Sequence, residues 1–286
     1  MHKVFVYGTL RKNERNSRLL ENAKCLAYQA WINGVLYDTG NNYPAVVLDD
    51  NHRVYGELYE LTDIQLSMLD ELEGYFGEGC HNHYDRVVQT VYSDFGQVEA
   101  YVYVYSDNLV KDLKVIEFGD WKCHLYLDQE ELYYFAYGSC MDDERFERAG
   151  VAEQFNYIGR GEIAGYSLSF THKLFDGGRA DMVESNDWVE GKVYKINQET
   201  LEYLFEREGV WSKSYRPAFI NVNVDGEVLE NVLTFFVVDK EKEEIAPPEH
   251  YAIEILRGAK GCVSDKYFMK LQHELDKKFG MSVVYN

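Results

Sequence analysis

A strand-like phrase that ends in tyrosine, glycine and a hydroxyl residue occurs twice in this chain. It reads VFVYGT at residues 4–9 and YFAYGS at residues 134–139. Two more phrases follow each copy in the same order. VYGELYEL, residues 54–61, matches VEGKVYKI, residues 189–196, and LDELEGY, residues 69–75, matches LFEREGV, residues 204–210. Gly56 precedes Glu73 by 17 positions, the same step that separates Gly191 from Glu208. Tyr84 and Arg86 in HYDRVV, and Tyr215 and Arg216 in SYRPAF, extend the match more loosely. A period above a hundred residues is far longer than any solenoid repeat, so each copy is expected to be a complete domain with its own core.

The length fits that reading, since 286 residues suffice for two domains of ordinary size. The expected boundaries are a first domain over 1–115, a packed linker over 116–130 and a second domain over 131–286. The linker has charges and scattered apolar residues but neither proline nor a glycine/serine run, which argues against a free tether. A hydrophobic content of 46% with 15% aromatics describes a packed globular protein.

A formal net charge of -20 makes nucleic acid or an anionic membrane an unfavourable partner, because phosphate attraction turns into repulsion. A small polar metabolite fits better. Neither a charged-then-apolar leader nor a long apolar run stands out, so a cytosolic protein is expected. Cys25, Cys80, Cys123, Cys140 and Cys262 are odd in number and irregularly spaced, as reduced thiols would be. Cys80, His81 and His83 lack a second ligand pair, so no metal is expected there. Cys140 is expected to be a buried free thiol and not a nucleophile, since no histidine follows at a motif-like position.

Within the first copy, KVFVYGTL, WINGVLYD, YPAVVLD, VYGELYEL, RVVQTVYS and VEAYVYVY have the β-branched and aromatic content of strands. LTDIQLSMLDELEG predicts a helix. Thr62 and Gln65 form a capping box, Ile64, Met68 and Leu72 recur every four residues, and Gly74 stops it. The second copy answers with Asn197 before a helix ending at Gly209. Many consecutive strands with few helices predict an α+β class, with each domain's sheet mixed or antiparallel and closed into a barrel.

Both glutamates fall on the apolar side of their helices. Leu201, Leu204 and Phe205 precede Glu208 by seven, four and three positions; Leu66 and Leu69 hold the first two of these offsets before Glu73, and Asp70 the third. A carboxylate at an apolar helix end is expected to have a raised pKa, which suits it to act as a base near neutral pH. The Tyr-Gly-hydroxyl turn is expected to present backbone N–H groups to an anion, with glycine permitting close approach.

These motifs resemble the γ-glutamylcyclotransferase-like superfamily. YGTLR, GELYEL and LDELEG resemble the small AIG-type and γ-glutamylamine cyclotransferases. YFAYGSCM, GGRADMVESNDWVEGKVYKI, LEYLFEREGV and PEHYAIEILRGAKGCVSDKYFMKL resemble γ-glutamylcyclotransferase proper. The resemblance spans nearly the whole chain and implies two tandem small mixed β-barrels with a few packed helices. It also implies cyclisation of a γ-glutamyl group to 5-oxoproline, with release of an amine or amino acid and no metal or cofactor. Carried over, Tyr7, Gly8, Thr9 and Leu10 hold the substrate beside Glu73 as acid/base, and Tyr137, Gly138, Ser139 and Cys140 do so beside Glu208. Arg11 is placed either to add charge to the first loop or on the surface.

The second copy departs from the pattern. Cys140 stands where cyclotransferases proper have asparagine, and Phe235 where the family has a tyrosine on a late strand. The second site then takes an altered substrate, or serves a structural or regulatory role. A non-catalytic γ-glutamyl sensor is the alternative for the whole chain.

Overall fold

The computed structural model describes residues 1–282, so the last four residues of the expected second domain lie outside the described residues. The chain divides into two compact units, one ending at Leu125 and the other beginning at Tyr126.

In the first unit, five strands close into a barrel in the order β1 (His2–Val6), β5 (Arg53–Leu61), β2 (Lys24–Asn33), β6 (Asp85–Ser93) and β7 (Gly96–Val104). Strand β1 closes it, pairing antiparallel with β5 and parallel with β7. Strands β3 (Val35–Asp38), β4 (Pro44–Val47) and β8 (Lys114–Val115) form a separate sheet. WINGVLYD is therefore two strands, broken at Gly34. Helix α1 (Asp63–Glu73) starts at the predicted cap: the Gln65 N–H donates to Thr62 Oγ1 at 3.3 Å, and the Thr62 N–H donates to Gln65 Oε1 at 2.9 Å. The apolar interior includes Phe5, Ile32, Val54 and Val102. Each such side chain contributes roughly 1.5–3 kcal/mol of burial.

Ile116 and Trp121 belong to that interior, and the Ile116 N–H bonds the Leu36 carbonyl. Residues 116–125 of the expected linker thus pack on the first unit. Helix α2 (Trp121–Tyr126) ends where the units divide.

The second unit repeats this topology. Its barrel order is β10 (Asn156–Leu174), β11 (Gly177–Asn197), β9 (Glu131–Ala136), β13 (Glu227–Val237) and β12 (Tyr215–Val224). Here β9 plays the part of β1, antiparallel to β11 and parallel to β13. Helices α3 (Asp143–Ala149) and α4 (Gln198–Arg207) join it, and α5 (Glu249–Ala259) and α6 (Asp265–Phe279) follow the last strand. The helix α4 cap is Asn197, whose side chain accepts from the Thr200 N–H at 3.0 Å; Glu208 is the capping residue at the far end.

The repeated glycines mark where strands cross most closely. A Cβ on Gly56 would lie 2.2 Å from the Val6 carbonyl oxygen and 2.7 Å from the Phe5 ring; on Gly191 it would lie 2.1 Å from the Ala136 oxygen and 2.9 Å from the Phe135 ring. Only glycine lets β5 and β11 run this close beneath the Tyr-Gly turns.

Candidate functional site

Each unit brings its tyrosine-glycine turn and its helix-end glutamate together. In the first, Tyr7, Gly8, Thr9, Leu10 and Glu73 line one cavity of about 220 Å³, joined by Arg15, Asn16, Tyr43, Leu72, His83, Tyr84 and Tyr103. Gly8 is needed because a Cβ there would sit 2.8 Å from the Pro44 ring. Among the described residues, the backbone N–H groups of Gly8, Thr9 and Leu10 have no acceptor in the chain. They are available to an anion.

Tyr7 supplies a wall of this cavity while its hydroxyl is spent, donating to the Tyr103 carbonyl at 2.7 Å. Tyr84 likewise donates to the Pro44 carbonyl at 2.7 Å, and Tyr103 to Asp70 Oδ1 at 2.7 Å. Burial holds the phenols of Tyr7 and Tyr84 well above their ordinary pKa, and the nearby Glu73 raises them further. They stay neutral.

Glu73 is half-buried, and among the described residues nothing donates a hydrogen bond to its carboxylate. Desolvation alone pushes its pKa up to about 7. The neighbouring Asp70 is held differently, by both the Tyr103 hydroxyl and Arg86, whose Nη1 lies 2.6 Å from Oδ2. One helix end thus carries an ion-paired carboxylate and a solitary one a turn apart.

One expectation changes here, and one periodicity turns outward. Arg11 is neither at the surface nor in the cavity: it is 2% exposed and ion-paired to Asp120 at 2.7 Å and to Glu57 at 3.4 Å. The cation in the cavity wall is Arg15. Ile64, Met68 and Leu72 form the outer stripe of α1, at 76%, 42% and 41% exposure, whereas Leu66 and Leu69 face the core. Cys80 lies outside the cavity, with its thiol directed to the Phe76 carbonyl at 3.5 Å. His83, by contrast, reaches the cavity wall and bonds the Tyr105 hydroxyl through Nε2 at 2.9 Å.

The second cavity is the same site filled in. Tyr137, Gly138, Ser139, Cys140 and Glu208 line it with Tyr134, Ala180, Tyr215, Phe235 and Tyr251, but its volume is only about 30 Å³. That is roughly one water molecule's share of liquid. Equivalence is close: Tyr137 donates to the Phe235 carbonyl at 2.6 Å as Tyr7 does to Tyr103, and Tyr215 donates to the Ala180 carbonyl at 2.7 Å as Tyr84 does to Pro44. Phe235 therefore stands where the first unit has the Tyr103 hydroxyl. Phe205 packs edge-on against it at 6.0 Å, in place of the contact between Asp70 and Tyr103.

Glu208 is not solitary. The Cys140 thiol donates to its Oε1 at 3.2 Å, and Arg207 Nε donates to the same sulfur at 3.1 Å. Burial raises the Glu208 pKa, and Arg207, the thiol and Arg145 oppose it only in part. Burial likewise raises the Cys140 thiol, against Arg207. Tyr251, from a helix with no counterpart in the first unit, closes the cavity, its hydroxyl accepting from the Ala180 N–H at 3.2 Å. It lies in the PEHYAIEIL phrase, but its distance along the chain from the Tyr-Gly turn hid its place in the site.

Comparison with known proteins agrees with this duplicated arrangement. The family described as "Gamma-glutamyl cyclotransferase, AIG2-like" matches residues 4–123, and the one described as "AIG2-like family" matches residues 188–271. In Bacillus subtilis (strain 168), the protein called "Putative gamma-glutamylcyclotransferase YkqA" is 41% identical over 280 residues, 96% of this chain and 97% of its own. This chain belongs to the gamma-glutamylcyclotransferase, AIG2-like family. The crystal structure of Bacillus subtilis YkqA matches with a TM-score of 0.85 at 40% identity, over 96% of this chain and 97% of that one. A second member, "Gamma-L-glutamyl-butirosin B gamma-glutamyl cyclotransferase" from Niallia circulans, is 42% identical over 123 residues, 43% of this chain and 76% of its own. Membership of this family indicates an enzyme. No described helix is long and apolar enough to cross a membrane.

Proposed function

We propose that the first unit converts a γ-glutamyl compound into 5-oxoproline and a free amine, with Glu73 as the general acid/base. The observation that carries this reading is a solitary carboxylate with a pKa of about 7, facing a turn of unused backbone N–H groups across a 220 Å³ cavity. Those donors suit the substrate's α-carboxylate and fold the chain so that its amine meets its own γ-carbonyl. Glu73 takes a proton from the α-ammonium, and the freed nitrogen attacks the γ-carbon. Glu73 then returns the proton to the departing nitrogen as the old C–N bond breaks. The surplus proton on the ring nitrogen passes to the released amine, so both products leave in ordinary protonation states. The residues so assigned need no metal or cofactor for these proton transfers.

Turnover is assigned to the first unit because the second cavity has room for about one water and its glutamate is tied to Cys140. Glu208→Gln is accordingly expected to leave 5-oxoproline release within about threefold of the parent. A larger loss, in an assay of the intact chain, would move the active site to the second unit.

The raised Glu73 pKa also has a sign. The base must be ionised, so kcat/KM is expected to climb with pH through a limb near 7 and then level off. For stability, the folded-state pKa lies above the unfolded value of 4.5, so the fold prefers the protonated carboxyl. That preference is fully present below pH about 4.5 and is lost as pH rises through about 7. Glu73→Gln is therefore expected to raise the thermal midpoint at pH 8 and to change it little at pH 4.5. Equal shifts at both values would contradict the assignment.

A further inference from the structure

Arg15 is the one lysine or arginine among the residues lining the first cavity, and among the described residues it has no hydrogen-bond or ion-pair partner. Neighbouring cations are spoken for: Arg11 by Asp120 and Glu57, Arg86 by Asp70. Its backbone is pinned to the substrate turn, because the adjacent Asn16 bonds Thr9 twice. The Asn16 N–H reaches the Thr9 carbonyl at 2.8 Å, and its side-chain amide reaches Thr9 Oγ1 at 2.9 Å. Arg15 itself is exposed, which puts its guanidinium at the rim and not at the base of the cavity.

The second unit offers a control within the same chain. Arg15 follows Tyr7 by eight positions, and Arg145 follows Tyr137 by eight. Arg145 is ion-paired with Glu254 of helix α5 and does not line the smaller cavity. The unit with the open cavity keeps this cation unpaired, and the closed unit ties it to a carboxylate.

Resting on the ring-closure reading above, we propose that Arg15 binds a carboxylate on the departing amine, so that the preferred substrates are γ-glutamyl amino acids and peptides over γ-glutamyl amines that lack an acid group. The charges match: such a substrate carries two carboxylates and one ammonium, and the cavity offers loop amides, Glu73 and Arg15. The loop amides take the glutamyl carboxylate, Glu73 faces the ammonium, and the rim cation meets the second carboxylate where the leaving group projects outward. A guanidinium binds a carboxylate by charge-assisted hydrogen bonds, which at an exposed rim weaken with salt.

The test compares γ-glutamyl-alanine with γ-glutamyl-alaninamide, which differ only in that carboxylate. On the intact chain, kcat/KM is expected to favour the acid by about tenfold at low salt, the size of one charge-assisted contact. Arg15→Gln brings the ratio near one through loss on the acid alone, and Arg15→Lys keeps part of it. Calorimetric binding of both compounds is measured in parallel on Glu73→Gln, with and without Arg15→Gln. Absence of 5-oxoproline from both compounds would refute ring closure but not Arg15, whose role is then decided by binding: an affinity ratio that Arg15→Gln removes supports it. Equal affinities, no binding, or a ratio that survives Arg15→Gln overturns it.

Discussion

Glu73→Gln is expected to lower 5-oxoproline release by about a thousandfold while changing substrate affinity only a few fold. Positioned acid–base groups typically contribute 10²- to 10⁴-fold, and in the proposed cycle a single group both accepts and returns the proton, which places the loss toward the upper part of that range. Glutamine keeps the shape of the side chain and a hydrogen-bonding oxygen but accepts no proton at neutral pH. Affinity is expected to persist because the amides of Gly8, Thr9 and Leu10, which we propose hold the α-carboxylate, line the same cavity and are not touched by the substitution. Steady-state kinetics and calorimetry on the same preparation check both halves. Loss of binding without loss of turnover at saturation would show that Glu73 serves only to hold the ammonium.

Gly56→Ala carries the largest expected cost to stability. Its Cβ would lie 2.2 Å from a backbone oxygen of β1, and backbone cannot yield as a flexible side chain does. The register of Val6 with Glu57 must shift, or β1 must move off β5. Overpacking of a core typically costs 1–3 kcal/mol, and a clash with backbone belongs at or above the top of that range, so about 3 kcal/mol is expected by denaturant melting. The Tyr7–Leu10 turn leaves the end of β1, so residual activity is expected to fall as well. Gly96→Ala serves as a control, because a Cβ there meets nothing within 4 Å and carries only the strain of its positive φ. Equal losses from the two substitutions would show that close strand approach is not what Gly56 provides.

Much of the site was legible because its parts are local motifs repeated at fixed spacing. A capping box, a helix stop and a strand ending in Tyr-Gly depend on a few neighbouring residues. Their recurrence located both glutamates and both turns. Facing was harder to read. Helix α1 bears two apolar stripes, Leu66 with Leu69 and Ile64 with Met68 and Leu72, and a period of 3.6 does not say which one meets the barrel. Tertiary contacts chose the shorter stripe, which is also the one shared with Glu73.

Arg11 and Arg15 lie four residues apart in one polar segment. Ion pairs with residues distant in sequence bury the first against Asp120 and Glu57, while the second stays at the cavity rim. The difference between the two sites lay beyond any motif. It arises from Tyr251, which a separate helix brings to Ala180, and from the bond between Cys140 and Glu208, formed between groups distant in sequence. Sequence departures at Cys140 and Phe235 pointed to an altered second site, but the loss of cavity volume is a property of packing.

The most direct test of the account is product analysis: γ-glutamyl-alanine incubated with the intact chain, followed by quantification of 5-oxoproline, glutamate and alanine across pH 5 to 9. The account predicts 5-oxoproline and alanine in equal amounts without glutamate, at a rate that rises through pH about 7. Free glutamate would mean that water attacks in place of the substrate's own amine. Tight binding with no product at any pH would make the first unit a sensor.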